Sequence, residues 1–272
     1  MNPENLSKFV AFFKTPPLWY GNYDGLEQFD FPEIDLQDLK IDSIPENIRL
    51  GHQMERVFLQ LVEHSPRYKV LAYNIPIRKD KISLGEIDFI LKDLEKNKML
   101  HVELTYKFYI LDPTVANPIH QLIGPNKRDT FYDKKEKIKH QQIPLLHSQE
   151  GSTVLRDMNI DHESLDHKVC FKAQVFLPLG LQNPSFLPLN NSCFAGYWMS
   201  QETFSTFRRN FSLFYIPYKK QWPESPTSDL HWNSYQDFKI DLDSRLANKN
   251  SPMVWLKKFN GELLKVFVVW WL

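Results

Sequence analysis

The 272-residue chain has only two cysteines, Cys170 and Cys193. Two cysteines are too few for a disulfide framework, and the scarcity favours a reduced, cytosolic compartment. Long apolar runs are also missing: nothing approaches the roughly 18 apolar residues that span a bilayer, and the first residues lack the pattern of a secretory signal. These absences predict a soluble, cytoplasmic protein with no membrane partner.

Net charge is the next absence, because 33 basic and 33 acidic residues cancel. Without an overall positive field, the protein is not drawn non-specifically to phosphate backbones, so any nucleic-acid contact must be local. A glycine-rich phosphate loop and a nucleophile elbow are missing as well. The sequence therefore gives no support to P-loop nucleotide hydrolysis or to serine-type acyl transfer.

Hydrophobic spacing predicts an α/β arrangement in residues 1–150. Apolar residues recurring every three or four positions indicate helices, and alternating runs indicate strands. The predicted elements are a short helix near 4–14 followed by an irregular surface wrap, an amphipathic helix at 45–64, strands at 69–77, 84–93 and 98–110, and a lysine-rich helix at 129–147. A charged turn separates the last two strands, which predicts an antiparallel hairpin.

Residues 151–272 are predicted to be a strand-rich C-terminal region, either separate from the first part or continuous with the same domain. A polar stretch at 148–167 precedes it. The predicted elements are strands at 168–179, 193–200, 211–218 and 265–271, with a short helix at 201–210. Its tryptophans are more typical of core packing than of base stacking.

Two charged strand faces are the main chemical feature. Alternation along the predicted strands puts Asp88 on one face of its strand, and Glu103 and Lys107 together on one face of the next. Two carboxylates on adjacent strands suit a hard divalent cation, Mg²⁺ or Mn²⁺, and a neighbouring lysine suits phosphate chemistry. Glu55, from the preceding helix, would complete the polar shell. The pattern predicts catalytic residues Glu55, Asp88, Glu103 and Lys107, with Asp88 and Glu103 as metal ligands.

The same residues are also compatible with purely structural roles. Charges on one strand face are commonly just solvated, and Glu103 with Lys107 could be a surface pair stabilising by under about 1 kcal/mol. His101 is typical of an ordinary polar strand residue. Zinc ligation by His162, His167 and the two cysteines is disfavoured, because no Cys-x-x-Cys pair is present.

The runs GHQMERVFLQLV, LGEIDFIL and HVELTYKFY resemble the helix–strand–strand signature of PD-(D/E)XK nucleases. In that superfamily a helix glutamate, a strand aspartate and a Glu-x-Lys strand form the metal site. The resemblance implies a restriction-endonuclease-like core, with a central mixed sheet flanked by helices, and a strand-rich C-terminal extension. One position departs from the pattern, since Thr105 stands where the superfamily has lysine and Lys107 follows two residues later on the same face.

A narrower resemblance covers about residues 50 to 200. The segments GEIDF, HVELTYKFYI, GPNKRD, KHQQIPL, KAQVFLPL and FAGYWMS together resemble an uncharacterised bacterial family of unknown function that is assigned to the same superfamily. Members of the RecB type carry a glutamine in the helix after the third strand, and Gln141 or Gln142 is the matching residue. Lys134 and Gln141 share a predicted helical face and are expected to bind substrate, although a solvated helix surface is an equal alternative.

Two functions follow as hypotheses. The first is a Mg²⁺- or Mn²⁺-dependent nuclease that hydrolyses phosphodiester bonds of DNA or RNA, with nucleic acid as its partner. The second is a catalytically inactive protein with the nuclease fold that acts as a binding or scaffold module, which the zero net charge and the displaced lysine favour.

Overall fold

The computed structural model describes residues 3–36, 39–181 and 189–272, with side chains from residue 6 onward. The fold is α/β, with a large mixed sheet flanked by helices, as the sequence predicts. The strands are β1 (Asn22–Tyr23), β2 (Leu26–Glu27), β3 (Tyr68–Lys79), β4 (Ile82–Asp93), β5 (Lys98–Leu111), β6 (Leu122–Ile123), β7 (Leu165–Pro178), β8 (Phe194–Ser200), β9 (Leu213–Tyr215), β10 (Met253–Lys257) and β11 (Leu263–Val269). The helices are α1 (Pro3–Lys14), α2 (Leu50–His64), α3 (Phe131–Lys137), α4 (Ile143–Leu145), α5 (Gln149–Asp157), α6 (Gln201–Phe207) and α7 (Tyr235–Ala247).

The chain forms two compact units, each built from several segments. The first comprises Met1–Tyr106, Asp133–Ala173 and Leu187–Asn190, and the second comprises Lys107–Tyr132, Gln174–Phe186 and Asn191–Leu272. Whether residues 151–272 are a separate region or continue the first domain stays a prediction.

The first unit contains β3, β4, β5 as far as Tyr106 and β7 as far as Ala173, in that order, with α1 and α2 packed on its aromatic core. Phe58 of α2 lies 4.6 Å from Phe89 of β4 between ring centroids, and Phe12 of α1 stacks on Tyr106 at 5.7 Å. The predicted wrap is irregular over most of its described residues, but it is partly built into the core, because Trp19 is only 1% exposed. A large aromatic ring gains more from burial than from contact with water.

Helix α2 begins at Leu50, later than the predicted residue 45. Residues 46–48 form a turn and only Arg49 is extended, and the Gln53 side chain donates to the backbone carbonyls of Pro45 (3.2 Å) and Ile48 (3.4 Å). The last residue of the helix is His64, as predicted, because Pro66 disfavours a helical backbone at Ser65.

The predicted helix at 129–147 is interrupted. Helix α3 leads into a π-helical turn at Ile138–Gln142, in which the Ile143 N–H donates to the Ile138 carbonyl, and α4 follows. A further helix, α5, occupies part of the stretch interpreted as a polar loop. Its N-terminus is capped by the Ser148 hydroxyl, which accepts from the Gly151 N–H.

The second unit contains the end of β7 followed by β8, β11, β10 and β9. β8 runs parallel to both β7 and β11, and the remaining neighbours are antiparallel. Helix α7 and strand β10 are absent from the sequence prediction. The apolar residues of α7 that reach the core, Phe238, Leu242 and Leu246, recur every four positions in an otherwise polar segment. No helix in the described ranges has both the length and the apolar character needed to cross a membrane.

Candidate cation site where strands β4 and β5 separate

The site lies where two paired strands part. β4 and β5 are paired antiparallel from Asp93↔Lys98 to Phe89↔Val102, which confirms the predicted hairpin. This paired stretch ends at Phe89 and Val102, and the Asp88 carboxylate accepts a hydrogen bond from the Leu104 N–H at 2.8 Å. The aspartate thus binds a backbone donor that a continuing ladder would have used, which holds its side chain between the two strands.

Strict alternation along β4 is wrong near Asp88. Ile87 packs in the same apolar cluster as Ile90, whereas Phe89 and Leu91 pack with α2 on the other side. An alternating strand would put Ile87 with Phe89 and Leu91. The interruption falls at Asp88, so the side chains before and after this residue lie on opposite faces of the sheet.

Glu103 is the most deeply buried acid of the site, with no exposed side-chain surface. One carboxylate oxygen is 3.0 Å from His101 Nε2, and the other accepts a hydrogen bond from the Gln142 amide. Gln142 in turn accepts from the Lys134 ammonium at 2.8 Å. Histidine, glutamine and lysine therefore fix the orientation of a single carboxylate.

Asp88 and Glu103 interact directly. Burial, and then the negative charge of Glu103, raise the pKa of Asp88 well above its usual value. Burial likewise raises the pKa of Glu103, while the Lys134 charge and a hydrogen bond with Asp88 act in the opposite direction. Two desolvated carboxylates of this kind hold a proton between them or bind a cation.

Two further acids lie next to this pair. Glu55 of α2 contributes negative charge at both Asp88 and Glu86. Its carboxylate lies 3.0 Å from His52 Nδ1, one helical turn before it. Burial and then the charge of Glu55 raise the pKa of Glu86. The predicted helix glutamate is therefore delivered to the neighbourhood of the strand acids.

The lysines and glutamines are arranged differently from the simplest sequence interpretation. Lys107 belongs to the second unit, where its ammonium donates to Asp129 at 2.6 Å. Lys134 is the cation whose charge acts on both Asp88 and Glu103. Gln142, the alternative to Gln141, reaches Glu103, and Gln141 is exposed to solvent.

A row of histidines, which the sequence did not connect, continues outward from Glu103. His101 Nδ1 is 3.1 Å from His167 Nδ1, and His167 Nε2 is 3.1 Å from His147 Nε2. Burial lowers the pKa of His101 to about 3, so its ring is neutral near pH 7. With Glu103 ionised, His101 donates to it, which assigns the donor of each later bond in the row. The row links β5, β7 and the segment after α4.

Two buried oxygens near the acids have no hydrogen-bond partner among the described residues. They are Thr105 Oγ1, on a side chain 3% exposed, and Asn74 Oδ1. Thr105 lies two residues beyond Glu103 on the same strand. Buried polar atoms are rarely left unpaired, so each such atom calls for a specific explanation.

The side-chain donors of the site determine which metal ion fits it. Over residues 3–36, 39–181 and 189–272, no group of three or more His, Cys, Asp and Glu side chains is arranged to hold a metal ion. Mg²⁺ is commonly bound through only one or two carboxylates, with water or substrate filling the other positions. The donors shown to lie together here are the carboxylates of Asp88 and Glu103, oxygen ligands of the hard type that this cation prefers.

The chain belongs to the family described as Domain of unknown function (DUF1853), whose model matches residues 8–269. The match covers nearly the whole chain and agrees with the family of unknown function that the sequence motifs resemble. Searches of curated proteins and of solved structures gave no match.

Proposed function

We propose that this protein is a metal-dependent nuclease of the PD-(D/E)XK type, with a restriction-endonuclease-like core and Mg²⁺ or Mn²⁺ as its cofactor. The observation that carries the proposal is the pair of mutually bonded, desolvated carboxylates, Asp88 and Glu103, under the charge of Lys134. Burying two carboxylates side by side lowers the free energy of unfolding, and such pairs are characteristic of functional sites.

Each residue has a role in this proposal. Asp88 and Glu103 hold the cation, which supplies Lewis acidity to activate water and to offset charge on a phosphodiester. The backbone N–H of Leu104 and the side chains of His101 and Gln142 keep the two carboxylates in place. Preorganised ligands lose little freedom on binding, which favours both affinity and rate.

Lys134 provides the positive charge that the scissile phosphate requires. Its ammonium already lies close enough to lower the pKa of both acids, and the Gln142 amide holds it. A fixed ammonium beside the reacting phosphate stabilises charge that grows in the transition state. Nucleic acid is the expected substrate, because its backbone consists of the phosphodiester bonds that this chemistry hydrolyses.

Cleavage assays with the full-length protein test the proposal. Supercoiled plasmid, duplex DNA, single-stranded DNA and RNA are each incubated with Mg²⁺ or Mn²⁺. We expect cleavage by the wild type, and a loss of at least about a hundredfold in rate for Asp88→Asn and for Glu103→Gln. Asp80→Asn is the matched control, since Asp80 lies in the β3–β4 turn at φ 53, a conformation that asparagine adopts readily.

Titration calorimetry with Mn²⁺ separates this function from a scaffold role. Wild type should bind Mn²⁺ and Asp88→Asn should not, whereas Asp80→Asn should match wild type. A wild type that cuts none of the four substrates, and whose Mn²⁺ binding is the same in Asp88→Asn, would instead support the non-catalytic binding protein.

A further inference from the structure

A single asparagine has an unusual backbone beside the candidate site. Asn74 lies inside β3 with φ 49, in the left-handed region that non-glycine residues seldom adopt. Of the non-glycine residues with positive φ in the described ranges, it alone lies within a strand, because Asp24, Asp80, Asn97, Lys127, Asn159 and Lys249 lie in turns or loops. Strain at such a position persists only where the surrounding structure requires it, and it often marks a functional site.

The strand register puts Asn74 opposite Asp88. Tyr73 pairs with Phe89, and Ile75 pairs with Ile87, so the residue between them faces the aspartate. Residues opposite each other in an antiparallel pair are close neighbours on one face. The same place is where β4 interrupts its alternation, so both strands are distorted at this one pair.

The side-chain oxygen of Asn74 is buried and accepts no hydrogen bond from the described residues. Its neighbour Asp88 binds the Leu104 N–H and interacts with Glu103. Thr105 Oγ1 is a second buried oxygen without a partner in the described part of the chain. The Asn74 oxygen is therefore a buried acceptor without a donor beside a desolvated carboxylate, and a cation is a ligand that balances such a set.

We infer that the amide oxygen of Asn74 is a third protein ligand of the cation held by Asp88 and Glu103. This inference rests on the proposed function. It accounts for the left-handed conformation of Asn74, because on this inference the distorted backbone presents the buried amide oxygen to the cation beside Asp88. It also implies a hard divalent ion, since a neutral amide oxygen with two carboxylates suits Mg²⁺, Mn²⁺ or Ca²⁺ better than a soft metal.

Mn²⁺ titration of four full-length variants tests the inference. Asn74→Gly removes the oxygen while keeping a residue at ease with positive φ, so it should fold like wild type. We expect Mn²⁺ affinity to fall about tenfold in Asn74→Gly and in Asn74→Ala. Asn74→Asp keeps an oxygen in place and should bind at least as tightly as wild type. Asn97→Gly is the matched control, with φ 51 in the β4–β5 turn, and should bind like wild type.

The outcomes separate two failures. If Asp88→Asn loses Mn²⁺ binding while Asn74→Gly, with an unchanged thermal midpoint, and Asn74→Ala, folded at the temperature of the titration, both bind like wild type, only the inference about Asn74 is overturned. It is also overturned if Asn74→Asp binds as weakly as Asn74→Gly, because that result identifies the amide as a hydrogen-bond donor to the carboxylate. If Asp88→Asn binds like wild type, the proposed function fails first and the inference fails with it.

Discussion

At the scale of single residues, the main question is which amine serves the site. Lys107 follows the superfamily spacing most closely, yet its ammonium is bound to Asp129, and both side chains are partly exposed. Lys134 comes from a helix and acts on both candidate ligands. A long flexible side chain reaches a site from several backbone positions, so its charge matters more than its place in a motif.

We expect Lys134→Met to lower the cleavage rate at saturating Mn²⁺ by at least about tenfold, because it removes positive charge from the reacting phosphate. Lys107→Met, which removes a partly exposed ion pair, should stay within about twofold of wild type. Single-turnover cleavage of a labelled oligonucleotide measures both rates. The reverse ranking of the two variants would return the catalytic role to Lys107.

The two acids could be predicted from the sequence, whereas their surroundings could not. Asp88 stands out as an ionisable residue in a strand otherwise fit for burial, and Glu103 shares a strand face with Lys107 in the segment that resembles the nuclease motif. The contact between His101 and His167 joins two residues 66 positions apart, and no pattern in either segment indicates that they meet. Asn74 gave no signal, because a left-handed asparagine is normally a sign of a turn.

At the scale of elements, sequence patterns succeeded where one physical signal dominated. The β4–β5 hairpin combines alternation with a charged turn, and both strands begin and end within two residues of their predicted bounds. Helix α7 was missed because a single apolar stripe, including Phe238 and Leu242, is diluted by three aspartates, a lysine and an arginine. The π-helical turn leaves no pattern that periodicity detects, since it changes the spacing inside one continuous helix.

That π-helical turn determines which glutamine reaches Glu103. Deleting His140, an exposed residue of the turn, should convert it to α-helical spacing, with the Ile143 N–H still bonded to the Ile138 carbonyl, and should displace Gln142 within the shortened turn. We expect cleavage and Mn²⁺ affinity to fall about tenfold or more, because Gln142 no longer holds the carboxylate.

Two variants accompany the deletion. His140→Ala removes only an exposed contact with Glu136, at 3.3 Å, and should behave like wild type. Gln142→Ala removes the amide without changing the backbone and should reproduce the loss. A deletion variant with wild-type affinity and rate would show that the turn has no bearing on the site.

At the scale of the whole molecule, basic side chains are paired with acids in the structure as well as balanced by them in the composition. Lys135 and Lys139 of the lysine-rich segment at 129–147, here called the basic run, both bind the carboxylate of Asp24, and Lys107 outside it binds Asp129. These pairs leave less of that run available to phosphates than its composition suggests. Substrate binding in the proposed nuclease must therefore depend on a few placed cations such as Lys134 rather than on a general positive field.

Stability of the whole chain should decline with acid, in part through His167. Burial is the largest cause that lowers its pKa to about 4, followed by the charges of His101 and His147, while Asp166 acts in the opposite direction. An unfolded histidine titrates near 6.5. Between these values the unfolded state binds more protons than the folded state, so the stabilisation present above pH 6.5 is lost as the pH falls through 4.

We expect this residue to account for about 1–2 kcal/mol of the free energy of unfolding lost between pH 7 and pH 4, after discounting for the part of the ring that water reaches. Urea unfolding of wild type and His167→Gln at several pH values measures the difference, which should shrink as the pH falls. His231→Gln, at an exposed position, is the control and should follow wild type throughout. A constant offset between wild type and His167→Gln would mean that the histidine row titrates alike in the folded and unfolded chains, and that its burial has no bearing on acid stability.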